Sequence, residues 1–350
     1  MSHSHPSAPS RWRAVFVQGA AWCACAANAQ TNPVDCTRID DDVTRLACYD
    51  RAHGRAPVPA GVNQPTAPPA AAAQTLRPSE SSMFDDRWDL DGRRQGELFS
   101  PRAYKPVYLL PLTWTDSVNT TPTSPAPNHS VSTPTDLDAV ELKYQISLKA
   151  KLWDGVLGTP LRLWGAYTQS SRWQVYNSAL SRPFRETDYE PELIAAWPID
   201  YTLAGWRLRQ LSLALNHQSN GRGVPLSRSW NRVIGEAGFE VGNWTVQLRP
   251  WARVSEDASS DDNPDIADYI GRAEALITGK LGQHIVALQL RHSLRGGDRA
   301  HASMQLEWSY PLGGALHLYT QWFSGYGESL IDYNHRQNKL GVGVSVVDWR

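Results

Sequence analysis

Residues 140–152 read VELKYQISLKAKL. Val140, Leu142, Tyr144, Ile146, Leu148, Ala150 and Leu152 fall on one parity, and Glu141, Lys143, Gln145, Ser147, Lys149 and Lys151 fall on the other. A period of two sends successive side chains to opposite faces of a β-strand, whereas a helix would mix the two sets. The alternation returns in Ala302, Met304, Leu306, Trp308 and Tyr310 against His301, Ser303, Gln305, Glu307 and Ser309, and again in Leu340, Val342, Val344 and Val346. Twelve such segments can be placed, at roughly 104–114, 138–152, 160–173, 190–203, 206–219, 229–241, 243–254, 267–280, 283–293, 301–310, 313–324 and 338–349. Each has about the ten residues that a tilted membrane strand needs. The first is the weakest, because Pro106 and Pro111 interrupt its ladder.

The connections alternate as well. Short turns (LAGW, VGN, LGQ, PLGG) take turns with longer polar loops at 115–137, 174–189, 255–266 and 325–337. Short turns at one end and long loops at the other is how outer-membrane barrels are built. A soluble β-sandwich also alternates, but it needs neither that asymmetry nor the aromatic balance of this chain. Fifteen Trp and thirteen Tyr stand against six Phe, and amphipathic rings suit a membrane–water boundary. No run approaches the roughly 18 apolar residues of a transmembrane helix, so a membrane-spanning form of this chain must be a closed barrel. The net charge of −1 over 350 residues gives no electrostatic case for nucleic acid. The fold expected is all-β: a twelve-stranded antiparallel transmembrane β-barrel over residues 91–350, with an N-terminal periplasmic extension.

Residues 1–30 have the order of an export signal: Arg11 and Arg13, the apolar run AVFVQGAAWCACA, then small residues in ANAQ. Cys23 and Cys25 would leave with that leader. Cys36 and Cys48 would remain in an oxidising compartment, which predicts a structural disulfide inside a short helical element at 31–55. Residues 56–90 open with APVPAGVNQPTAPPAAAAQTLRP, the composition of a linker.

Chemistry concentrates in HQSNGRGVPLSRSWNR, residues 217–232. His217 and Ser219 continue the parity of Leu211, Leu213 and Leu215, which places them at the end of a lipid-facing stripe. Asn231 heads the stripe Val233, Gly235, Ala237, Phe239 and Val241 on the next strand. A serine needs a base to attack an ester, histidine can be that base, and an asparagine oxygen can fix its tautomer. His-x-Ser alone is a weak signal, since polar residues commonly end a strand at an interface; the shared outward parity with Asn231 strengthens it. Gln169 shares the parity of Leu161, Leu163, Gly165 and Tyr167. An amide there is costly in hydrocarbon unless something satisfies it, and a partner across a two-fold axis would do so.

The same segment resembles the active-site stretch of the outer-membrane phospholipase A family. So do AYTQSSRWQ, RPFRETDYEPEL, DYTLAGW, NWTVQLRPW, DDNPDI, and LYTQWFSGYGESLIDYN with LGVGV after it, in order over about residues 104–350 and not over 1–90. The resemblance implies a twelve-stranded outer-membrane barrel that hydrolyses phospholipid acyl esters with calcium and is active as a homodimer. It implies Ser219 as nucleophile, His217 as general base and Asn231 as its orienting partner. It implies a calcium ion held by the backbone oxygen of Arg222, by Ser227 and by Ser181 of the neighbouring subunit. There the ion would stabilise the oxyanion together with the backbone N–H of Ser219. Asp262 is a further candidate ligand, and Gln169 a dimer contact.

This chain departs from the pattern at Val224, where an acidic residue is expected before the proline, so a second calcium site looks weakened. It departs also at Gln218, where Asp is common, and at its Trp349-Arg350 end, where an aromatic is usual. Two other readings use the same barrel: a non-catalytic porin or adhesin, and a serine esterase that deacylates lipid A without a need for calcium.

Overall fold

The computed structural model describes residues 36–54, 82–92, 94, 96–347 and 349. The expected export signal and most of the expected linker lie outside them. The chain divides into two units, Met1–Thr75 and Leu76–Arg350.

In the first unit a 3-10 turn at Cys36–Arg38 is followed by helix α1, Asp42–Ala52. Asp41 caps α1 by accepting the backbone N–H of Thr44 at 2.9 Å. A disulfide joins Cys36 to Cys48, with 5.8 Å between the Cα atoms, so the turn is pinned to the middle of the helix.

In the second unit, helix α2 (Met83–Trp88) and a two-residue strand β1 (Arg102–Ala103) precede twelve long strands. These are β2 Val107–Thr115, β3 Val140–Asp154, β4 Arg162–Trp173, β5 Phe184–Leu203, β6 Trp206–Ser219, β7 Ser229–Val241, β8 Trp244–Arg253, β9 Ala273–Leu281, β10 His284–His292, β11 Ala302–Gly313, β12 Leu316–Gly325 and β13 Gln337–Val347. Each of the twelve pairs antiparallel with its neighbours in sequence, and β13 pairs with β2 to close the barrel. The β2–β3 register shifts between Leu110 and Thr113, around Pro111, where proline removes a ladder donor.

The two faces of the opening stretch separate as alternation requires, with the usual polarity reversed. Glu141, Lys143, Ser147, Lys149 and Lys151 are buried inside the barrel, while Ile146 and Leu148 are exposed outside. On β6, Leu213 and Leu215 are 56% and 57% exposed. An outer surface of leucine around a charged interior suits hydrocarbon and not water. No helix among the described residues is long and apolar enough to cross a membrane.

Three boundaries differ most from the sequence reading. β5 begins at Phe184, six residues earlier than placed, because Glu186 and Asp188 turn into the lumen, where Asp188 pairs with Arg172 and Glu186 accepts from the Asn220 amide and the Ile331 N–H. The segment expected to begin a strand at 267 instead starts with helix α3, Ile266–Tyr269, and Ile266, Ala267 and Ile270 are buried at helical spacing. The linker expected over 56–90 ends sooner, because α2 belongs to the barrel. Ser82 caps α2, and Phe84 and Trp88 are buried one helical turn apart. Gly238 of β7 admits the Phe84 ring, since a Cβ there would meet it at 2.6 Å. Trp88 stands edge-on to Tyr104 and Trp164, with centroids 6.0 and 5.9 Å away, so α2 fills the short-turn end of the lumen.

Candidate active site

The site lies at the long-loop end of β6 and β7. Direct pairing sets His217 opposite Asn231 and Ser219 opposite Ser229. His217 is exposed on the outer face, and Ser219 and Asn231 are half-buried. Between the first two, Gln218 points the other way and accepts the Trp230 indole N–H at 2.9 Å. The expected parity therefore holds: histidine, serine and asparagine share the hydrocarbon side.

His217 Nδ1 and Asn231 Oδ1 lie 2.8 Å apart. An amide oxygen only accepts, so this contact places a proton on Nδ1, and in the neutral ring Nε2 is then the acceptor. Asn231 Nδ2 in turn donates to Glu256 Oε1 at 3.2 Å. Among the described residues no hydrogen bond joins His217 to Ser219. Catalytic contacts of this kind are commonly long without substrate and tighten when it binds.

The loop that follows Ser219 is held from within by Asn220. Its Oδ1 accepts the N–H groups of Arg222 (3.2 Å) and Arg228 (3.0 Å), and its Nδ2 donates to the Leu226 carbonyl (2.8 Å) and to Glu186 (3.1 Å). Gly221 takes φ +63°, the left-handed region that glycine enters freely. The Arg222 side chain folds back to the Phe184 and Arg185 carbonyls. Its own carbonyl accepts no hydrogen bond among the described residues. Asn220 was not singled out from sequence; the Asn-Gly turn signal could have found it.

Ser227 and Asp262 meet, with Ser227 Oγ donating to Asp262 Oδ2 at 2.6 Å. Ser229 Oγ reaches the same oxygen at 3.2 Å, and His129 Nε2 lies 3.0 Å from Oδ1. Val224 is exposed and contributes no side-chain oxygen. Ser181 stands apart on the loop between β4 and β5, exposed with φ +57°. No hydrogen bond among the described residues joins it to Arg222, Ser227 or Asp262. Gln169 is half-buried on the outer face of β4. It accepts the Tyr167 hydroxyl at 3.2 Å and donates to Ser171 at 3.4 Å, so part of its hydrogen-bonding capacity is met without a second subunit.

Burial pushes the Glu256 carboxyl above its ordinary value, Arg253 opposes this, Asp261 adds to it, the Asn231 amide opposes it, and Asp262 adds again.

A family model described as Phospholipase A1 matches residues 84–346. The chain belongs to the phospholipase A1 family. The putative phospholipase A1 of Neisseria meningitidis serogroup B is 35% identical over 351 residues, covering 90% of this chain and 91% of that protein. The phospholipase A1 of Escherichia coli strain K12 is 45% identical over 208 residues, covering 59% of this chain and 70% of that one. The outer membrane phospholipase dimer of Salmonella typhi, solved with bound calcium, superposes with a TM-score of 0.64 at 39% identity, covering 72% of this chain and 94% of that one. The chain is thus an outer-membrane barrel of an ester-hydrolase family. The match begins at residue 84, within α2, some twenty residues before the expected start at 104.

Proposed function

We propose that this chain hydrolyses acyl esters of membrane phospholipids at Ser219, with phospholipase A1, A2 and lysophospholipase activity, in a calcium-dependent reaction that requires dimerisation. One observation carries the reading: His217 and Asn231 form a 2.8 Å pair on the hydrocarbon-facing surface, in register with Ser219. A lipid ester reaches that surface without leaving the membrane.

Ser219 Oγ attacks the ester carbonyl carbon while His217 Nε2 takes its proton. Because i and i+2 side chains on a strand lie about 6.5–7 Å apart along the backbone, a rotamer change brings the imidazole to the hydroxyl. Asn231 Oδ1 holds the ring as it becomes charged. His217 then returns the proton to the leaving glycerol oxygen, and water activated by the same ring releases the fatty acid.

The oxygens near Ser219 suit a hard cation. The Arg222 carbonyl is free of hydrogen bonds among the described residues, and Ser227 Oγ abuts the Asp262 carboxylate. Arg222, Ser227 and Asp262 would hold calcium on this subunit, and Ser181 would come from the other. When bound, the ion polarises the ester carbonyl and offsets the charge of the tetrahedral oxygen. The calcium-bound Salmonella dimer supports this reading, as does Gln169, whose amide retains an N–H for a second subunit.

Fatty-acid release from detergent-dispersed phospholipid, with and without chelator, tests the proposal. Wild type should be active only with calcium, and Ser219→Ala inactive. Full activity of Ser219→Ala would indicate a non-catalytic role for the triad. Calcium-independent release from lipid A alone would indicate the deacylating esterase.

A further inference from the structure

We propose that Glu256 is a positioning residue of the catalytic unit, holding the Asn231 amide with its oxygen toward His217. This inference rests on the triad reading above and adds a fourth member to it.

The register of β7 and β8 delivers the residue. Arg232 pairs with Arg253 and Val233 with Ala252. Beyond the end of β8 the chain continues alongside β7, and the Val254 N–H donates to the Asn231 carbonyl at 2.8 Å. Ala252 and Val254 are exposed on the outer face. Two residues further, Glu256 returns to that parity, and its carboxylate accepts from Asn231 Nδ2 at 3.2 Å.

What the carboxylate decides is which end of the amide faces the imidazole. The oxygen and NH2 ends of a carboxamide are nearly the same size and differ only in hydrogen bonding. If the NH2 end faced His217, Nδ1 would have to accept, and the ring proton would move to Nε2. That tautomer cannot take a proton from Ser219. A carboxylate accepts and does not donate, so it captures the NH2 end and leaves Oδ1 for His217 Nδ1. Its negative charge, relayed through the amide, also favours the imidazolium that forms during attack. A triad with aspartate as its third member has no such ambiguity, since both of its ends are oxygens.

Two experiments on the full-length protein in detergent test this. In the first, Glu256→Ala and Glu256→Gln are assayed for fatty-acid release in the wild-type and Asn231→Asp backgrounds. Glu256→Ala should lower kcat about ten- to a hundredfold, the range of a hydrogen bond to a charged group, with KM unchanged. Glu256→Gln should fall between, because its amide oxygen can still accept the Asn231 NH2. With Asp at 231 both ends are oxygen and Glu256 repels them, so Glu256→Ala should there leave kcat unchanged or raise it. An equal loss in both backgrounds, or no loss in either, overturns the proposal.

The second experiment does not depend on activity. Nitrogen-15 NMR of His217 should report the Nδ1–H tautomer in wild type and a mixture in Glu256→Ala; an unchanged tautomer overturns the proposal. Activity of Ser219→Ala would instead sink the triad reading, so the two failures are distinguishable.

Discussion

Glu328 lies on the loop between β12 and β13, with its side chain fully buried inside the long-loop end of the barrel. It pairs with Lys143 at 2.7 Å, Lys339 at 3.0 Å and Arg172 at 3.2 Å. Those cations also join Asp188 and Glu141, and Arg185 links Glu141 to Asp332. The connected cluster therefore holds four cations and four carboxylates. Glu328→Gln keeps the shape but leaves one buried positive charge in excess, and breaking a buried pair from one side costs about 3–5 kcal/mol. At about 1.4 kcal/mol per decade, that is a hundred- to several-thousandfold shift in the unfolding equilibrium. The paired variant Lys143→Met with Glu328→Leu removes one charge of each sign, and replacing a whole buried pair with apolar groups is often neutral. Urea unfolding in detergent, followed by tryptophan fluorescence, should show a large loss for the single variant and recovery of most of it in the double. The effect should also depend on pH. Burial opposes ionisation of Glu328, but Arg172, Lys143, Lys339 and Arg185 prevail and hold its carboxyl well below the ordinary 4.5. A depressed carboxyl stabilises the fold above its unfolded value and loses that contribution as pH falls through the folded one. The gap between wild type and Glu328→Gln should thus narrow progressively below about pH 4.5. A double variant as unstable as the sum of its parts, or a gap that widens in acid, would refute the cluster argument.

Lys149 Nζ lies 3.1 Å from the Trp88 ring centroid, fully buried and without a hydrogen-bond partner among the described residues. A cation–π contact returns about 2 kcal/mol against a burial cost of several, so Lys149→Met should stabilise the barrel by about 1–3 kcal/mol in the same urea assay; destabilisation would show that the ring is the stronger term. Gly238→Leu should displace Phe84 and cost about 1–3 kcal/mol, and adding Phe84→Ala should relieve the clash; an undisturbed Gly238→Leu barrel would contradict the seating of α2. Asp262→Ala removes the carboxylate beside Ser227, and the calcium concentration for half-maximal activity should rise about ten- to a hundredfold; an unchanged requirement would take Asp262 out of the ion's surroundings.

The barrel was legible because its rule is local. Period-two alternation needs only neighbours in sequence, and it marked β3, β11 and β13 directly. It failed where polarity was taken as a sign of loop. In this fold charge belongs indoors, so RETDYE read as a connection although Glu186 and Asp188 line the lumen. α2 was hidden for a different reason. A six-residue helix is too short to hold itself in water, and only two buried apolar residues, Phe84 and Trp88, mark its inward face, so its existence depends on the cavity left by Gly238 and on the rings of Tyr104 and Trp164. Sequence around residue 84 contains none of those partners.

The site divides along the same line. That His217 and Ser219 face outward follows from the parity of β6 alone. That Asn231 stands opposite His217 depends on the register between two strands, which the length and shape of the loop at 220–228 set and which the Asn220 hydrogen bonds hold. Glu256 lies one strand further away, and its place depends on the β7–β8 register continuing past the last assigned pair. Each added strand multiplies the registers that a sequence permits, because a slip of one residue turns every side chain to the other face. A contact that spans three strands is therefore beyond what alternation can specify.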